Sequence, residues 1–67
     1  QARYKEAEPL LKRALEMKEK VLGTVNQSVA HTLGNLAEVY EALGRKVEAD
    51  IYRRRASEIL RQITQKA

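Results

Sequence analysis

Between Tyr4 and Leu22 the apolar residues fall at Ala7, Leu10, Leu11, Ala14, Leu15, Met17, Val21 and Leu22. Steps of three and four place them on one wide face of a helix. Glu8–Lys12 and Glu16–Lys20 add opposite charges four residues apart in the favoured order. Gly23 follows the last apolar residue and predicts the stop. Pro9 removes a backbone donor, so it is expected near the helix start or at a mild bend. Asn26 and Ser28 are both suited to cap a second helix. Its core positions are Val29, Leu33, Leu36, Ala37, Val39, Tyr40 and Leu43, and Gly44 ends it. A third helix starts near Lys46 and carries Ala49, Tyr52, Ala56, Ile59, Leu60 and Ile63 on one stripe. Gly34-Asn35 has the composition of a hairpin turn, but its flanks keep helical periodicity, and the turn is rejected.

The first and third helices superpose at an offset of 42 residues. Arg3/Arg45, Glu6/Glu48, Ala7/Ala49, Arg13/Arg55, Ala14/Ala56 and Glu16/Glu58 are identical, and Glu8/Asp50, Lys12/Arg54, Met17/Ile59 and Val21/Ile63 are close. A fixed period with alanine kept at two positions suggests stacked helical hairpins, the alanines marking where helix axes approach. Leu33, Leu36, Ala37 and Tyr40 form LxxLAxxY, followed by Gly44, Ala49 and Ala56. With these residues the chain resembles the tetratricopeptide repeat, and the 42-residue period resembles the longer variant found in kinesin light chains. The chain departs from that pattern at Asn26-Gln27, Lys46 and Arg53, where relatives often have His-Pro, an aromatic and a large apolar residue.

The resemblance implies an all-α fold, antiparallel helical hairpins of an α-solenoid. Residues 1–23 would be the second helix of an incomplete repeat and 24–67 a complete, capping one. It also implies a non-catalytic scaffold that presents a groove to a peptide or partner protein. Carried onto this chain, the groove-facing positions are His31, Gly34, Asn35, Glu38 and Glu41. Asn35 stands where related domains use an asparagine to hold a bound peptide, and its amide both donates and accepts. Glycine in mid-helix costs about 1 kcal/mol relative to alanine, so Gly34 points to something approaching closely there. No Lys or Arg lies between residues 24 and 44, which carry only Glu38 and Glu41. The groove is therefore expected to favour neutral or basic peptides.

Charge elsewhere is concentrated at the two ends. Residues 1–23 hold six Lys or Arg against four acids, and residues 45–67 hold seven against three. The run Arg53-Arg54-Arg55 raises the question of nucleic acid. Three successive helical residues fan through roughly 200°, however, and cannot all face one groove. Asp50 and Glu58, each four residues from Arg54, are expected to neutralise it in part. The interleaved aromatics of single-strand binders are missing apart from Tyr52. A duller reading fits better. Leu11, Leu15 and Leu22 of the first helix become Arg53, Ser57 and Thr64 in the third, so one face turns polar together, as the solvated face of a terminal repeat does.

The first helix has no such polar face. Nothing in the sequence covers Ala7, Leu10, Ala14 and Met17, and these residues are assigned to self-association or to an upstream repeat. On this reading the 67 residues, beginning mid-repeat at Gln1-Ala2-Arg3, are a fragment of a longer chain.

Other chemistries find little support. There is no cysteine, hence no disulfide or thiolate site. No apolar run exceeds three residues, too short for a membrane span or a signal peptide, and a cytoplasmic location is the default expectation. The lone histidine, His31, has no nucleophile and orienting group arranged around it, and no phosphate loop or metal motif occurs. No enzyme activity, cofactor or metal is expected. Tyr4, Tyr40 and Tyr52 read as packing residues whose hydroxyls reach water at the layer edge.

Overall fold

The structure, a computed structural model, describes residues 3–66. They form three helices, α1 (Arg3–Leu22), α2 (Gln27–Ala42) and α3 (Lys46–Lys66). Among the described residues there is no strand. Gln1, Ala2 and Ala67 lie outside them. The α2 helix packs against both neighbours, while α1 and α3 do not approach one another along their backbones. Eight of the 16 residues of α2 are buried, which makes it the central helix, whereas α1 buries only Leu15.

Local signals set each boundary. Gly23 (φ 83°) and Gly44 (φ 80°) adopt the left-handed conformation that ends α1 and α2. Asn26 is the cap of α2; its backbone is extended, and its side-chain oxygen accepts from the Ser28 N–H at 2.8 Å. At the other end the Gly44 N–H donates to the Glu41 carbonyl and the Arg45 N–H to the Tyr40 carbonyl, closing a Schellman turn. Arg45 then starts α3, its carbonyl accepting from the Ala49 N–H. Arginine is an unusual starter, and its guanidinium compensates by gripping Glu48 in the first turn through two bonds of 2.8 Å. Pro9 lies inside α1, past its first turn. Both Pro9 and Lys5, whose carbonyl loses its helical donor, are exposed, so water is available to the freed group.

The core joins Val29, Ala30, Leu33, Leu36 and Tyr40 of α2 with Ala49, Ala56 and Ile59 of α3 and Leu15 of α1; Leu11, Tyr52 and Ile63 pack around it. Leu60, expected on the buried stripe, is 44% exposed. It sits one helical step beyond Ile59, past the edge that α2 covers. Among the described residues Thr32 is the one buried polar side chain. Its hydroxyl donates to the Ser28 carbonyl and accepts from the Lys18 ammonium at 3.0 Å, so it is satisfied and ties α1 to α2.

Tyr40 is 1% exposed, and its ring stacks on Tyr52 with centroids 5.3 Å apart. The sequence alone predicts that the Tyr40 hydroxyl reaches water; instead it is buried and donates to the Glu8 carboxylate of α1. The Arg45 guanidinium lies 4.9 Å from the ring centre and the Lys12 ammonium 5.8 Å from it. The Tyr40 hydroxyl, helped by Lys12 and Arg45, holds the Glu8 carboxyl below the usual carboxylate range, against a smaller opposing effect of burial. Burial, and then the bond to Glu8, push the Tyr40 phenol up.

These shifts predict the pH dependence of stability. The Glu8 contribution is present above the unfolded carboxyl value of about 4.3 and is lost as pH falls through the lowered folded value. That of Tyr40 is present below about pH 10 and is lost as pH rises through the raised folded value. Melting temperature should be level between these limits and fall on both sides. Tyr40→Phe should shallow both arms; thermal melts across pH with parallel curves for the two proteins would contradict this account.

Candidate functional site

Helix α2 is buried on one side only. At 100° per residue, Val29, Leu33, Leu36 and Tyr40 point into the core, and His31, Gly34, Asn35, Glu38 and Glu41 cluster on the opposite face. The structure leaves His31, Glu38 and Glu41 exposed and Gly34 and Asn35 half-buried. These five residues therefore share a surface, built by the same periodicity that fills the core.

Among the described residues, His31, Asn35 and Glu38 form no side-chain hydrogen bond or ion pair. The Asn35 amide thus has its donors and acceptor free on a partly enclosed surface. Beside it, a Cβ built on Gly34 would meet no atom within 4 Å. No part of this chain requires glycine there, so its absent side chain leaves open space rather than making room for a neighbouring helix.

Glu41 is not free. The Arg53 guanidinium reaches across from α3 and binds its carboxylate at 2.7 Å, with Asp50 3.7 Å away on the other side. The expected acidic wall is therefore reduced to Glu38 as its unpaired carboxylate. Both side chains of the Arg53–Glu41 pair are about half exposed, so it adds little to stability. Its effect is on the charge of the surface.

The other arginines of the run are also separated. Arg55 binds Glu19 of α1 at 3.0 Å and lies over the Tyr52 ring. Arg54 lines a shallow groove on α3 with Asp50, Arg53, Ser57, Glu58 and Arg61, whose aliphatic stems form much of its wall. Asp50 and Glu58, expected to neutralise Arg54, pair with Arg53 and Arg61 instead, each three residues away. That spacing and the side-chain directions on the helix were not separable from the four-residue alternative by sequence alone. Glu41–Arg53 and Glu19–Arg55 join different helices, and no sequence signal pointed to them.

On α1, Ala7 and Ala14 are half-buried, while Leu10 and Met17 are 66% and 65% exposed. These four residues lie together on a face that α2 does not cover. Among the described residues no group of three His, Cys, Asp or Glu is placed to hold a metal ion, and no helix is long and apolar enough to cross a membrane.

A family model described as the tetratricopeptide repeat matches residues 1–62. Comparison with curated proteins and with solved structures gives no match.

The two helix-related glycines should respond oppositely to alanine. Gly34→Ala should raise stability by about 1 kcal/mol, since the methyl enters open space in a helix. Gly44→Ala should lower it by about 1–2 kcal/mol, since φ at this turn is +80°. Urea denaturation of both variants checks the pair; a destabilised Gly34→Ala protein would mean that the site is not open.

Proposed function

From the premise that this chain belongs to the tetratricopeptide-repeat family, we propose that the exposed face of α2 binds an extended peptide segment of a partner protein, with Asn35 as the anchoring residue. Repeats of this family generally mediate protein–protein interaction and are generally non-catalytic scaffolds. The observation that carries the reading is the half-buried Asn35 amide, unpartnered within the described residues and adjacent to the empty space over Gly34. An amide supplies a donor and an acceptor together, which matches one peptide unit of an extended backbone. Gly34 lets that backbone come close to the helix, at the expense of helix stability. The 42-residue offset supports the longer repeat variant resembling that of kinesin light chains. It also supports taking α1 as the second helix of one repeat, α2 and α3 as a complete repeat, and the polar outer face of α3 as a capping face.

Peptide preference follows from charge. Helix α2 carries no Lys or Arg, Glu38 is unpaired and Glu41 is held by Arg53. A neutral or singly basic peptide suits this face, and an acidic one does not. In titrations by fluorescence anisotropy, basic peptides should bind more tightly than acidic ones, and the preference should shrink as salt rises. Asn35→Ala should weaken binding by about tenfold, the equivalent of one hydrogen bond lost from a desolvated group. Gly34→Leu should block binding while leaving the helix intact. Tighter binding of acidic peptides, or full affinity after Asn35→Ala, would refute the proposal.

A further inference from the structure

The arginine run has one member without a partner. Arg53 pairs with Glu41 and Asp50, and Arg55 with Glu19. Among the described residues Arg54 forms neither an ion pair nor a side-chain hydrogen bond. Ser57 follows, with arginine two and three positions before it. It is exposed, and its hydroxyl makes no hydrogen bond among the described residues. No other serine or threonine has this setting. Thr64 has Arg61 three positions before it but glutamine at the next, and its hydroxyl donates to the Leu60 carbonyl. Thr32 is buried and bonded, and Thr24 and Ser28 have no Lys or Arg in the three preceding positions.

We propose that Ser57 is a phosphorylation site for a protein kinase of the arginine-directed class, whose own carboxylates select a serine preceded by two guanidiniums. The Ser57 Oγ attacks the γ-phosphorus of a magnesium-bound nucleoside triphosphate, and the bond to the β,γ-bridging oxygen breaks. The hydroxyl proton passes to the catalytic aspartate of the kinase, and nucleoside diphosphate leaves. Arg54 is available to the kinase as it stands, and Arg55 gives up only a partly exposed pair, which is worth little. Ala56 and Ile59 flank the serine and belong to the core, so Ser57 enters a kinase cleft when the C-terminal half of α3 opens locally. Once the helix recloses, the product resets its charges. A phosphoserine carries about −1.5 to −2 at pH 7. Arg53 and Arg61 lie one turn to either side of it and Arg54 three residues before it, and all line one groove with Ser57. Asp50 and Glu58, in the same groove, oppose the phosphate, but three guanidiniums face these two carboxylates. The phosphate draws Arg53 away from Glu41, since it offers more charge and more acceptors than a half-exposed carboxylate. Glu41 then becomes a second unpaired acid on α2 and strengthens the preference for basic peptides; this last consequence alone rests on the peptide-binding reading above.

The test is incubation of the 67-residue chain with a purified arginine-directed serine kinase and magnesium ATP, followed by intact mass and peptide mapping. One phosphoryl group at Ser57 is expected, and none in Ser57→Ala, an exposed helical position that alanine suits. Arg54→Ala should slow incorporation by about tenfold or more, the loss of one charge-assisted contact to the kinase, with the melting temperature unchanged. Ile63→Ala, which loosens the end of α3, should speed it. In the modified protein the Arg53 Nε–Hε resonance should shift, a readout that needs no peptide. A chain left unmodified where the kinase modifies a synthetic peptide of residues 50–61 overturns the proposal. Incorporation that persists in Ser57→Ala, or that is indifferent to Arg54→Ala, does the same. A rate unmoved by Ile63→Ala overturns the opening step, and an unmoved Arg53 resonance overturns the exchange with Glu41.

Discussion

The packing of this small protein turns on the burial of one phenol. Tyr40 is the point where α1, α2, the second turn and α3 come into contact, and each supplies a different kind of interaction. Helix α1 supplies the Glu8 acceptor, the turn supplies the Arg45 guanidinium over the ring, and α3 supplies the parallel face of Tyr52. A phenol can be buried cheaply only when its hydroxyl is paired. The pairing therefore fixes where α1 must lie, and the stacked ring fixes α3. A chain of this length buries a small share of its surface, roughly 60% of what the unfolded chain exposes, so one well-satisfied junction carries unusual weight.

Because α1 and α3 are both held on one side of α2, the far side of α2 has no neighbour among the described residues. The open face and the packed face are consequences of one arrangement, and the same helical period allocates residues between them. Charge is then trimmed from outside the helix. Arg53 of α3 neutralises Glu41, leaving Glu38 and the amide of Asn35 to define the chemistry of the surface. The arginine run thus works mainly within the molecule, with Arg53 and Arg55 directed to two different helices.

Helix limits were legible because their causes are local. Gly23, Asn26 and Gly44 act through their own backbone or through a bond two residues away, and each appears in the structure where the sequence put it. The placement of His31, Gly34, Asn35 and Glu38 on one face was legible for the same reason. Interactions across long separations were not. Glu8–Tyr40, Glu19–Arg55 and Lys18–Thr32 depend on how helices are set against one another, which no spacing within a helix encodes. Leu60 shows the limit of periodicity. It marks a stripe, but the width of the stripe that is covered depends on the neighbouring helix.

The two turns differ in a way that bears on how the molecule opens. In the second, Leu43, Gly44 and Arg45 all donate backbone bonds into α2, and the Arg45 carbonyl already belongs to α3. That turn has no slack, and its two helices must loosen as one unit. In the first turn, bonds close at Gly23 onto α1 and at Asn26 onto α2, and none of the described ones spans the link between them. Amide protons of α1 would then exchange with solvent through a local detachment that leaves the α2–α3 hairpin closed. Such a detachment would uncover Thr32 and the Tyr40 hydroxyl, whose partners Lys18 and Glu8 lie on α1, and leave the Tyr40–Tyr52 stack of the α2–α3 hairpin in place.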